Sequence, residues 1–234
     1  VQTVFKRYEE KYLIAEAQKN ALLADISGHI VADKHSEYIV QNLYFDTENW
    51  DVIRTSIDNP LYKEKMRLRC YGEHVQESRL FLELKKKYEK VVYKRRVALP
   101  GELLSDNNVQ DIVEKKPSQI SRELQYYMKT NSVYEKMYLS YKRCAFTSAE
   151  DKGVRITFDT DIRYRMYDLE LRQHERGISV LEPDQTIMEI KMWGGMPPWL
   201  VKALGDNKIY PVTFSKCGAC YTKHVIMQQK GDVA

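Results

Sequence analysis

The chain has 234 residues, with 37 Lys and Arg against 33 Asp and Glu and a net charge of +4. That length suits one large domain over residues 1–234, and the hydrophobic fraction of 43% is that of a globular protein. The near balance of charge argues against a partner bound through bulk basicity, so no nucleic acid is expected. There is no apolar run near the ~20 residues that span a bilayer, no signal-peptide pattern at the start, and no disulfide-framework spacing among Cys70, Cys144, Cys217 and Cys220, so the reduced cytoplasm is the expected location.

In chain order, alternation predicts a strand over Val4 to Ile14, and Ala21, Leu22, Leu23, Ile26 and Ile30 predict a helix from Ala15 to Val31. Ser36 to Phe45 reads as extended. Asp46 to Pro60 reads as a loop or short helix. Lys65 to Tyr71, Arg79 to Tyr88 and Glu89 to Leu99 read as three strands, with a turn at Gly72-Glu73 and a hairpin tip over Lys87 to Lys90. Pro100-Gly101 ends that run. Glu102 to Asn131 is helical by spacing, through Leu103, Leu104, Val109, Ile112, Val113, Ile120, Leu124 and Tyr127, and is split at Pro117-Ser118 with Ser118 as an N-cap. Strands follow over Met137 to Phe146, Val154 to Asp159, Asp168 to Leu171 and Thr186 to Met192. Pro197 to Val225 is helical with a break at Gly205 to Thr213. Strands and helices come in blocks rather than in regular alternation, which predicts an α+β fold with a mostly antiparallel sheet.

The strands are unusual in what they repeat. Arg7-x-Glu9-x-Lys11, Arg67-x-Arg69, Glu83-x-Lys85-x-Lys87, Lys94-x-Arg96, Arg163-x-Arg165 and Glu189-x-Lys191 set charges two apart, hence on one face of each strand. Met66, Leu68 and Cys70 oppose the arginines of the second, Leu82 and Leu84 oppose the third, and Met188, Ile190 and Met192 oppose the last. Arg155, Thr157 and Asp159 likewise share a face opposite Val154, Ile156 and Phe158. Such faces are either solvated or the lining of a basic cavity. Arginines on a rigid strand suit phosphate oxygens, and carboxylates beside clustered cations suit a hard divalent ion held near phosphates.

Other chemistries find little support. His29, His35, His74, His174 and His224 are scattered and form no metal or nucleophile pattern, and neither GxxxxGK[ST] nor GxGxxG occurs. Cys217-Gly-Ala-Cys220 has the CxxC spacing without a second motif, and reads as a pair of half-buried small residues.

Taken in order, the motifs resemble a known family. Phe5-Lys6-Arg7-Tyr8-Glu9-Glu10-Lys11-Tyr12, Leu43-Tyr44-Phe45-Asp46-Thr47, Lys65-Met66-Arg67-Leu68-Arg69-Cys70-Tyr71-Gly72 and Phe81-Leu82-Glu83-Leu84-Lys85 resemble the VTC domain, the polyphosphate polymerase domain of the triphosphate tunnel superfamily. Tyr141-Lys142-Arg143, Val154 to Asp161, Met188-Glu189-Ile190-Lys191 and Phe214-Ser215-Lys216 continue the likeness to about Tyr221. The resemblance implies an eight-stranded antiparallel β-barrel with helices packed outside. It implies catalytic cations at Arg67, Arg69, Lys85, Arg143, Arg155 and Lys216, and phosphate-binding groups at Lys11, Lys94, Arg96 and Lys191. Glu189 would bind Mn²⁺ or Mg²⁺, with Glu9 and Glu83 as further metal-side groups and Asp159 orienting an arginine. ATP, triphosphate and polyphosphate are the implied partners, and export of a product would need a separate membrane partner. The pattern departs at Thr213, where a lysine is usual, at Cys217, where an aromatic is usual, and at Arg7, where the wider superfamily has glutamate. Transfer to polyphosphate, hydrolysis by water and binding without turnover share these residues.

Overall fold

A computed structural model describes residues 8–72, 79–89, 91–100, 109–114, 118–150, 153–171 and 174–231. Expectations placed on Val4 to Arg7, Glu73, His74, Lys90, Gly101 to Leu104 and Pro117 lie outside the described residues. The elements are β1 (Tyr8–Ala15), α1 (Glu16–Ile26), β2 (Ile30–Asp46), α2 (Asp51–Ile57), β3 (Tyr62–Tyr71), β4 (Arg79–Tyr88), β5 (Val91–Pro100), α3 (Val109–Glu114), α4 (Gln119–Asn131), β6 (Tyr134–Ser148), β7 (Val154–Arg165), β8 (Ile178–Ser179), β9 (Gln185–Met192), α5 (Pro198–Asp206) and α6 (Lys216–Gln229). The fold is α+β, and β1 with β9, β9 with β7, and β2 through β5 pair antiparallel. Hydrogen bonding orders the strands β1-β9-β7-β6-β2-β3-β4-β5, with β8 beside β7. The eight-stranded barrel that the resemblance implies is not closed: among the described residues, β1 ends the path beside β9 and β5 ends it beside β4.

The chain forms two compact units, one of Val1–Tyr38, Tyr141–Ile162 and Leu181–Ser215, the other of Ile39–Ser140, Arg163–Val180 and Lys216–Ala234. In the first unit, strand alternation sends Tyr12, Ile14, Val154, Ile156, Phe158, Met188, Ile190 and Met192 to one face. There they pack with Leu22 and Ile26 of α1 and Leu200, Ala203 and Leu204 of α5. Each such buried aliphatic contributes about 1.5–3 kcal/mol, and together they commit the opposite face to the charged residues.

The second unit repeats the device. Leu43, Phe45, Met66, Leu68, Cys70, Leu80, Leu82, Leu84, Val97 and Leu99 meet Val109 and Val113 of α3 and Leu124, Tyr127 and Met128 of α4. Ser118 caps α4 as its sequence position predicts, its hydroxyl accepting from the Ser121 amide at 3.0 Å. Asp46 does the same for α2, accepting from the amides of Thr47, Val52 and Ile53 at 2.8–2.9 Å. The strand expected over Asp168 to Leu171 does not form. Arg165, 2% exposed and 3.5 Å over the Tyr138 ring, donates to the carbonyls of Asp168 and Glu170 and holds that segment as a loop. The Arg163/Arg165 pair is thus bound to backbone, Arg163 donating to the Glu175 carbonyl. No helix among the described residues is long and apolar enough to cross a membrane.

Candidate functional site

In the second unit the register of β2 to β5 builds a face of stacked rows. Asn42 lies opposite Arg69, and Tyr44 opposite Arg67. Arg67 faces Glu83, which faces Arg96, and Lys65 faces Lys85, which faces Lys94. Lys63 and Lys87 form the next pair outward. On β3 to β5, Lys63, Lys65, Arg67, Arg69, Lys85, Lys87, Lys94 and Arg96 therefore share their face with Glu83, while Glu64 points to the other side, where it pairs with Lys86. Cations thus outnumber the one acid on this face eight to one.

Glu83 is the hub of these rows. It is 1% exposed, and its Oε2 accepts from Arg67 Nε at 2.9 Å and Nη2 at 2.8 Å. Its Oε1 lies 2.5 Å from the Lys94 ammonium, so both oxygens meet cations. Burial alone would raise the Glu83 pKa, but the charges of Arg67, Arg69 and Lys94 outweigh it and bring it down to about 2. The Lys94 pKa falls to about 8, because burial and the two arginines outweigh its attraction to Glu83. Arg67 also donates to the Tyr44 hydroxyl at 3.2 Å. Arg69, 8% exposed, donates to Asn42 Oδ1 at 2.9 Å, and Asn42 is itself held by the Leu139 carbonyl at 3.0 Å. Arg96 stacks over Phe81 at 4.6 Å. The two arginines expected to grip phosphate are thus aimed by a tyrosine and an asparagine on β2.

Lys216 opens α6, and the next residue, Cys217, accepts from Lys65 Nζ at 3.3 Å. The end of the Phe214-Ser215-Lys216 motif is in this way brought next to the Lys65–Lys85–Lys94 row. Cys217 and Cys220 are free thiols, 4% and 0% exposed, more deeply buried than the half-buried pair the sequence predicts.

The first unit carries a different charge pattern. Glu9 faces Lys191, which faces Arg155; Lys11 faces Glu189, which faces Thr157; and Asp159 lies further along β7 on the same face. Here the cations have carboxylate partners. Lys191 pairs with Glu189, and Lys11 lies 3.7 Å from Glu9 while donating to the Phe214 carbonyl at 2.9 Å. Arg143 and Asp159 form a fork, Nε to Oδ1 at 2.6 Å and Nη2 to Oδ2 at 2.8 Å, with the two side chains 8% and 0% exposed. Arg155 donates to Asp33 through Nε at 2.9 Å and approaches it through Nη2 at 2.8 Å. Asp33 also accepts from the Thr147 hydroxyl.

Among the described residues, no group of three or more His, Cys, Asp or Glu side chains is placed to hold a metal ion. Glu189 and Glu9 are diagonal neighbours on one face. Each lies beside a lysine, Glu189 with Lys191 and Glu9 with Lys11, and Mg²⁺ or Mn²⁺ is commonly held by one or two carboxylates together with substrate phosphates. The donor set fits such an ion.

Several contributors escape a reading of the sequence. Lys65 continues the alternation Lys63-x-Lys65-x-Arg67-x-Arg69 and was findable from it. Asp33, Asn42 and Tyr44 act as partners to arginines far along the chain, which no local pattern signals.

Comparison with solved structures gives a shared fold at low identity. The PH1819 protein of Pyrococcus horikoshii OT3 is similar with a TM-score of 0.50 at 14% identity, over 92% of this chain and 99% of that one. A candidate adenylate cyclase from Bacillus halodurans gives 0.51 at 15%, over 92% and 96%. HpAC1 of Hippeastrum, a candidate adenylyl cyclase described as revealing a dominant triphosphatase activity, gives 0.50 at 15%, over 97% and 96%. A search among curated proteins gives no match. The family model of the VTC domain matches residues 6–225, the span over which the motifs run in order. The chain belongs to the VTC domain family.

Proposed function

We propose that this VTC domain is a metal-dependent phosphotransferase that moves the γ-phosphate of ATP onto a growing polyphosphate chain. The observation that carries the reading is the pair of rows Lys65–Lys85–Lys94 and Arg67–Glu83–Arg96. The two rows bring five cations and one buried acid to one face, an excess of positive charge that suits a polyanion. Phosphoryl transfer asks little covalent chemistry of the protein, since positioning and charge neutralisation carry most of it. Arg67, Arg69, Lys85, Lys94 and Arg96 grip phosphate oxygens, with Lys65 added to the set implied by the motifs. Lys11, Arg143, Arg155 and Lys191 of the first unit, and Lys216 of the second, are further phosphate-binding groups that the motifs imply. Glu83 acts by fixing Arg67 and Lys94 rather than by holding metal, because both of its oxygens already face cations. Glu189 and Glu9 would hold Mg²⁺ or Mn²⁺, which would supply neutralisation of charge on phosphate oxygens. A terminal oxygen of the acceptor chain attacks the γ-phosphorus, the bond to the β-phosphate oxygen breaks, and ADP leaves.

Hydrolysis is the second reading, favoured by the triphosphatase activity described for the Hippeastrum protein that shares the fold. It uses the same groups, with water as the attacking oxygen. Incubating the protein with ATP and Mn²⁺, then resolving polyphosphate on a gel while assaying free phosphate, separates the two. A polyphosphate ladder supports transfer. Free phosphate without a ladder replaces it with hydrolysis, and binding without either product makes the domain a sensor.

A further inference from the structure

Thr157 is 1% exposed, and its Oγ1 has no hydrogen-bond partner among the described residues. Buried hydroxyls are ordinarily satisfied, and one left alone is costly. Its place in the sheet makes this informative. Val154, Ile156 and Phe158 occupy the apolar face of β7, whereas Thr157 faces Glu189 from the neighbouring strand and lies two residues from both Arg155 and Asp159. Apolar packing at that position would be served equally by valine, which has the same shape without the hydroxyl.

The charged groups around it each have an ionic partner, and none of them is placed to accept from Oγ1. Glu189 is taken by Lys191, Asp159 by Arg143, and Arg155 by Asp33. What Oγ1 lacks is therefore something brought from outside, and a hydroxyl beside the metal-side carboxylate suits an oxygen-rich anion as acceptor. Resting on the triphosphate-binding reading above, we propose that Thr157 is a substrate-contact residue, its Oγ1 donating a hydrogen bond to a terminal phosphate oxygen beside Glu189.

The test titrates tripolyphosphate, in Mg²⁺, into wild type, Thr157→Val and Thr157→Ser, and measures thermal unfolding of each protein without ligand. Thr157→Val should weaken tripolyphosphate binding about tenfold or more, the loss of one hydrogen bond to a charged acceptor. Its unfolding temperature without ligand should equal or exceed that of wild type, because the unsatisfied hydroxyl is gone. Thr157→Ser, which keeps the hydroxyl, should bind within about twofold of wild type. Wild-type affinity in Thr157→Val overturns the proposal, as does equal weakening in both variants, which would trace the effect to the methyl group. Should Thr157→Val fail to fold, Thr157→Ala takes its place with the same expected weakening. No binding by wild type itself overturns the parent reading and this one with it.

Discussion

Arg67 and Glu83 face each other on adjacent strands, and the guanidinium meets one carboxylate oxygen through both Nε and Nη2. The second carboxylate oxygen belongs to Lys94. A single buried acid thus spaces two cations on either side of it, in a face rich in positive charge. Most of what the second unit can do follows from that triad.

Acid stability should depend on Glu83. Its folded pKa of about 2 lies below the usual carboxylate value of 4.5. The stabilisation is therefore fully present above about pH 4.5 and is lost as pH falls through about 2. Its size is on the order of 3 kcal/mol. Denaturant unfolding followed from pH 6 to pH 2 should show this loss in wild type and a flatter profile, from a lower starting stability, in Glu83→Gln. Equal acid profiles in the two proteins would contradict the assignment.

Affinity for phosphate should fall in mild alkali. With the Lys94 pKa near 8, its ammonium is present at pH 7 and largely gone at pH 9. An anion binds the protonated form better, so tripolyphosphate affinity should drop about tenfold over that range. Lys94→Arg keeps its charge throughout and should flatten the profile. A drop that persists unchanged in the arginine variant would place the titrating group elsewhere.

Removing a cation from the lysine row should weaken anion binding. Lys85 stands between Lys65 and Lys94. Lys85→Gln lowers the positive charge of that row by one. The same change should reduce the thermal shift that tripolyphosphate produces. Unchanged binding would make Lys85 an ordinary surface residue.

Metal dependence should separate from anion binding at Glu189. Glu189→Gln should abolish the increase in tripolyphosphate affinity that Mg²⁺ produces, while leaving binding in EDTA within about threefold of wild type. A Mg²⁺ effect of unchanged size would remove Glu189 from the metal site.

The charged strand faces were legible because alternation is local. Glu83, Lys85, Glu189 and Lys191 each sit two residues from the next charge, with Leu or Ile between them. The Ser118 cap and the helix it opens were legible for the same reason. The first half of β2 was not, since Asp33, Lys34 and His35 show no apolar alternation and the helical pattern read from Ala15 runs on to Val31, past the start of β2. That stretch nevertheless supplies Asp33 to Arg155, a partner 122 positions away. The Asp168 to Leu171 segment misled in the other direction. Leu169 and Leu171 alternate as in a strand, but the buried Arg165 takes the carbonyls that a strand neighbour would need. Register decided the rest: the sequence shows that Glu83 and Lys85 share a face, but not that Arg67 and Lys94 flank Glu83.

Calorimetric titration of tripolyphosphate into wild type and Arg67→Ala, each in EDTA and in Mg²⁺, tests the central claim most directly. Saturable binding by wild type, tighter in Mg²⁺ and weakened about tenfold or more by Arg67→Ala in both buffers, is the predicted result. No binding by wild type, or equal binding by the two proteins, would contradict it.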